Sequence, residues 1–188
     1  MIQLVMGVKQ DPWLGALHSF PTVLHGRASV LFDVSRESLQ KALVEALGSM
    51  LESSVSRDIS VADRVGYQPG RVRFRVGVGN GDGFDIFDTR ERERILTRVE
   101  NVGAFDLLDL LFHLHYSVDD GRPHKVRGDQ YLVRLVFQRE RVELLLHHLK
   151  GVRRVEPGEL VRMIVDALNV ELRRLRYSEA ELEQVSTT

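Results

Sequence analysis

Arg71, Arg73 and Arg75 alternate strictly with Val72, Phe74 and Val76, a period of two that predicts a strand with one apolar face buried and an arginine face turned outward. Asn80-Gly81-Asp82-Gly83 supplies residues that tolerate positive φ, and Phe84 and Ile86 return the chain as the second arm of a hairpin. Upstream, Ile2 to Val8 is a strand candidate, a loop follows around Asp11-Pro12-Trp13, and Thr22 to Val34 reads as an extended run with a bulge or bend at Gly26.

The period changes to that of a helix after Ser35, an N-cap residue: Leu39, Leu43, Ala46, Leu47, Met50 and Leu51 recur on one face, while Gln40, Lys41, Glu45 and Glu52 take the other, so a helix is predicted over 36–52. Residues 53–70 are rich in Ser, Asp and Gly and read as a long, mobile loop. Asp88 and Glu91 stand in capping-box spacing, which starts a helix near Thr89 that carries Ile95, Leu96 and Val99 inward as far as Asn101. Gly103 interrupts, and Ala104 to His115 reads as a second, more apolar helix in the core.

Ser117 to Asp129 is a polar connection, Tyr131 to Phe137 a strand, Gln138-Arg139-Glu140 a turn, and Val142 to Leu149 a return strand in preference to a short buried helix. Pro157-Gly158 opens a long helix with Leu160, Ile164, Leu168, Leu172 and Leu175 on one face, and Ser178 with Glu181 repeats the capping spacing for a short terminal helix. This order of elements predicts an α+β fold, an antiparallel or mixed sheet built from hairpins with helices packed mainly on one face. The 188 residues suffice for a single domain, with 157–188 as a C-terminal helical extension.

Composition narrows the function classes. Apolar residues make up 43% and charged residues 28%, the ordinary globular balance, and the absence of cysteine removes disulfides, thiolate nucleophiles and zinc ribbons. With no signal-peptide core and no apolar run of membrane-spanning length, a cytoplasmic protein with no membrane partner is expected. The formal charge of −1 provides no global field toward nucleic acid, so a basic surface has to be local. The basic residues are 22 Arg and 4 Lys, a bias that GC-rich codon usage produces by itself.

Four constellations could carry chemistry. The glycine run from Gly77 to Gly83 lacks the third glycine of a dinucleotide loop and is followed by a strand, so it reads as a hairpin turn; its Asn80, Asp82 and Asp85 lack the spacing of a calcium loop. Asp106, Asp109 and His113 share one face of the expected helix at 104–115, where a carboxylate could orient an imidazole or the three could join a metal site. His115, His124, His147 and His148 add imidazoles to the same half of the chain, although neighbouring His147 and His148 would point to opposite faces of a strand. Finally, Arg71, Arg73 and Arg75 on a strand, with Arg90, Arg94 and Arg98 along the helix after the hairpin, form one basic patch if the two faces adjoin.

No nucleophile elbow, P-loop or cofactor fingerprint is present, so no cofactor is expected and the balance leans away from an enzyme. The leading expectation is a binding or assembly module acting through protein–protein contact, with self-association as a homodimer and an unidentified protein partner. The alternatives are a nucleic-acid-binding accessory protein using the arginine patch and a metal-dependent hydrolase using the Asp/His cluster.

Overall fold

A computed structural model describes residues 14–60, 67–119 and 123–187. The strand candidate at Ile2 to Val8 and the loop around Asp11-Pro12-Trp13 lie outside the described residues. Chain order is β1 (Gly26–Leu31), α1 (Arg36–Glu52), β2 (Ser54–Ser60), β3 (Tyr67–Asn80), β4 (Gly83–Ile86), α2 (Thr89–Val102), β5 (Leu107–Asp119), β6 (Pro123–Phe137), β7 (Arg141–Lys150), α3 (Pro157–Arg174) and β8 (Glu181–Thr187). The strands form one antiparallel sheet in the order β2-β3-β5-β6-β7-β1-β8, with β4 pairing the far end of β3, and the fold is α+β as predicted.

Register sorts the residues of this sheet onto two faces. Val72 lies opposite Tyr116 and Phe74 opposite Leu114; Leu110 lies opposite Val133, Leu135 opposite Leu144, and Leu144 opposite Ala28. Cross-strand partners point to the same side, so these residues build one apolar face. Helices α1 and α3 pack against it: Leu39, Leu43, Ile164 and Leu168 meet Val30, Leu135 and Leu144 around a cavity of only about 10 Å³, at the lower limit for a single water. Helix α2 joins the same side, sinking Ile95 and Val99 into the core and linking to α1 through Arg92 with Glu45 and Lys41 with Glu100. Each fully buried Leu or Phe contributes roughly 1.5–3 kcal/mol of transfer free energy.

The N-caps expected at Ser35 and Asp88 form, with the Glu91 carboxylate held by Arg94 at 3.2 Å. Ser35 Oγ accepts from the Ser38 amide at 3.1 Å and Asp88 Oδ1 from the Glu91 amide at 2.9 Å. Pro157 occupies the first turn of α3, whose Glu159 carboxylate reaches back to the Glu156 amide at 2.9 Å. The hairpin turn is also as read, with Gly81 at φ 71° and the Asn80 side-chain amide donating to Asp85 at 2.9 Å.

Several segments differ from expectation. The helix predicted at 104–115 is instead β5, because Leu108, Leu110, Phe112 and Leu114 alternate onto the core face between β3 and β6. The polar connection at Ser117 to Asp129 is mostly strand, since β5 and β6 run on to Asp119 and from Pro123. Within the expected loop 53–70, β2 pairs the first half of β3, and 61–66 lies outside the described residues. The terminal helix expected after Ser178 is β8, the edge strand beside β1: Asn169 of α3 grips the Ala180 backbone with both amide atoms, at 2.7 and 3.0 Å, and delivers the chain to the open edge of β1. A short isolated helix would have gained little against that ladder.

Candidate nucleic-acid interface

The second face of the sheet carries no helix among the described residues. Arg71, Arg73 and Arg75 project from it and are exposed, and their cross-strand partners are Ser117, His115 and His113 of β5. On the other flank, Ser56 and Ser54 of β2 lie opposite Arg71 and Arg73. No carboxylate stands in register with the row, and none of its three guanidiniums pairs with one among the described residues. Elsewhere pairing is common: Arg27 with Glu143, Arg36 with Asp106, Arg141 with Glu183 and Arg174 with Glu171 all close to 3.3 Å or less.

Arg90, Arg94 and Arg98 do not join this row. They lie on α2, on the helix-covered side, where Arg94 pairs with Asp85 at 3.3 Å and Glu91 at 3.2 Å. Arg98 donates to the Gly103 carbonyl at 2.6 Å and stacks 4.8 Å over the Phe105 ring, while Arg90 is exposed. The single patch of six arginines is therefore corrected to two rows on opposite sides of the sheet. Burial pushes the Glu91 carboxyl upward, partly offset by Arg94.

Asp106, Asp109 and His113 also fail to gather. Asp106 precedes β5 and is exposed beside Arg36. Asp109 is fully buried on the second face, held by two hydrogen bonds from Arg134 at 2.7 and 2.8 Å and one from the Leu17 amide at 2.7 Å. Asp109 and His113 share that face with Leu111 between them, but four residues of strand separate their Cα atoms by about 13 Å, beyond any shared metal. The Asp109 carboxylate is thus a structural anchor for the segment 14–25, which runs on with Phe20 under the Arg134 guanidinium at 4.7 Å and the Val23 carbonyl accepting from His147 Nδ1 at 2.7 Å.

His113 sits 6.5 Å from His115 with the rings nearly parallel, at 15°, and 3.3 Å from the Gln130 side chain. Burial, then the His115 and Arg75 charges, hold the His113 pKa below its ordinary value. His147 and His148 do point to opposite faces, and the side chain of His124 lies outside the described residues. Among the described residues no three His, Asp or Glu side chains gather where they could hold a metal.

Sequence reading missed the buried carboxylate of Asp129, 1% exposed. It accepts from the Tyr116 hydroxyl at 2.6 Å and from the Arg154 and Arg153 amides at 2.8 and 2.9 Å, with His148 Nε2 at 3.4 Å. Burial alone would raise its pKa, but these donors outweigh it and hold the carboxyl below the usual range. His25 Nδ1 accepts the His148 amide at 2.9 Å, and burial followed by the nearby Arg153, His147 and His148 charges lowers the His25 pKa. Nothing in the local sequence marks Asp129 apart from the neighbouring Gly128, because its partners come from β5 and from the loop after β7.

No helix among the described residues is long and apolar enough to cross a membrane. No protein family, curated protein or solved structure matches this chain.

Proposed function

We propose that this protein is a non-enzymatic nucleic-acid-binding accessory protein that meets the phosphate backbone with Arg71, Arg73 and Arg75. The supporting observation is the row itself: three exposed guanidiniums without carboxylate partners among the described residues, flanked by serine and histidine, in a chain whose overall charge is −1. Three neighbouring cations on one strip with no carboxylate partner among the described residues make a local potential that a polyanion senses at short range. A planar guanidinium fork matches phosphate oxygens in a two-pronged geometry. A homodimer, the first expectation from sequence, draws on no feature as specific as this row. A metal-dependent hydrolase would need Asp109, whose carboxylate is already occupied by Arg134 and Leu17.

Fluorescence anisotropy with a labelled oligonucleotide, repeated over a range of salt, tests the reading. Binding should weaken steeply with salt, and R71A/R73A/R75A should reduce the slope of log K against log salt by about 2–3, close to one unit for each phosphate left without its arginine. A slope unchanged by the triple substitution would remove the proposal.

A further inference from the structure

The row of arginines has a direction as well as a charge, and that direction bears on which form of nucleic acid it takes; the inference rests on the function just proposed. We infer that the ligand is a single strand laid along β3, its phosphates on Arg71, Arg73 and Arg75 and its bases turned across β5 onto the His113 and His115 rings. Side chains two apart on a strand repeat at about 6.6 Å, comparable to the phosphate step of an extended single strand. Arg71, Arg73 and Arg75 stand in single file along β3, a line that matches one backbone. A duplex presents two backbones on either side of a groove, and readers of that groove insert a helix, ribbon or arm. Among the described residues, this part of the face carries no such element.

The flanks of the row are unequal. On the β2 side stand the small hydroxyls of Ser54 and Ser56; on the β5 side stand two imidazole rings at an interplanar angle of 15°, with the Gln130 amide against His113. Flat rings next to a phosphate-binding line are what unstacked bases require, and an adjacent amide can pair with a base edge. Beyond His113 the strip is closed off, since segment 14–25 crosses the face at Asp109, Arg134 and His147. An anionic membrane fits less well, because a single line of cations along a strand matches a linear polymer better than a plane of headgroups.

The test uses the full chain with single-stranded DNA and RNA oligonucleotides of about 12 nucleotides, the same DNA sequence as a duplex, and phosphatidylserine vesicles. At equal salt the single strands should bind about tenfold or more tighter than the duplex, and the DNA and RNA arms identify the natural backbone. H115A should weaken single-strand binding about tenfold, the order expected when one base loses its stacking partner, with duplex binding unchanged; H115F, which restores a ring, should recover it. A duplex bound as tightly as the single strand overturns this inference while leaving the nucleic-acid reading in place. Single-strand affinity untouched by H115A overturns the placement of the bases. Binding to vesicles but to no oligonucleotide, or to nothing, overturns the nucleic-acid reading and this inference together.

Discussion

Asp129 illustrates what one buried carboxylate does to a fold. Its two oxygens fix the Tyr116 hydroxyl from the sheet and the amides of Arg153 and Arg154 from the loop after β7, so one side chain pins that loop against the strands. Gly151 turns into this loop at φ 117°, and a Cβ there would fall 2.0 Å from Asp129 Oδ1, which is why no other residue fits. The folded-state pKa of Asp129 is depressed, so in the window below about pH 4 the unfolded chain binds the proton and the native state does not. Its contribution to stability is accordingly full above that window and lost as pH falls through the depressed value. D129N keeps the shape but turns an amide group toward backbone donors. It should cost about 3 kcal/mol at pH 7, because charged hydrogen bonds disappear and buried donors are left unpaired. Urea unfolding at pH 7 and pH 3 checks this: the gap between wild type and D129N should narrow in acid, and a gap constant with pH would contradict it.

At the scale of elements, the clearest test concerns β8. Asn169 mimics a strand neighbour by donating to the Ala180 carbonyl and accepting from the Ala180 amide, so it sets where β8 begins its ladder with β1. N169A removes two hydrogen bonds and should destabilise by about 1–3 kcal/mol, with amide exchange in β8 and the adjoining β1 residues accelerated well before the rest of the sheet. Exchange accelerated uniformly would mean that Asn169 has no special hold on this strand.

The same scale explains what could be read from the chain. Ser35 and Asp88 announced their helices because a cap is a local interaction. Arg71 to Val76 announced β3 because one of its faces meets solvent, so the alternation is visible. β5 hid: Leu107 and Leu111 sit on its second face with Asp109, beside the crossing segment 14–25, so both faces carry apolar residues and the alternation vanishes. The spacing of Asp109 and His113 compounded this, since four residues bring two side chains to the same side of a helix and of a strand alike. β8 hid because Ser178 and Glu181 have capping spacing, while the partner that makes 181–187 a strand lies far back in the chain. Of the candidate interface, the arginine row was legible as a strand face; its separation from α2 and its pairing with His113 and His115 depend on register across β5, which no local pattern encodes.

For the whole molecule, the sheet divides the labour. One face is committed to helices α1, α2 and α3 and to the core; among the described residues the other carries no helix and is crossed by segment 14–25. Strands β3, β5, β6 and β7 are joined in chain order, with β4 and α2 as an excursion between the first two, whereas β1 takes both its partners from the far end of the sequence. The bond from Arg27 to Glu143 spans 116 residues and that from Ser29 to Glu183 spans 154. Contacts that close such long loops bear the largest entropic cost and tend to form after the local meander. V30A should therefore act mainly by speeding unfolding, while V133A in β6 should also slow folding, as read from the two limbs of a chevron plot. Equal partition of both substitutions between the limbs would contradict that order.

The position of β1 also has a consequence at the ribosome. At about 5–20 residues per second, the strand emerges on the order of ten seconds before the first of its partners is made. Throughout that interval Ala28 and Val30, destined to be buried, have no sheet to join. Until then the nascent chain carries the β1 segment with no partner for either edge, so chaperone cover of β1 during synthesis would guard it against mispairing.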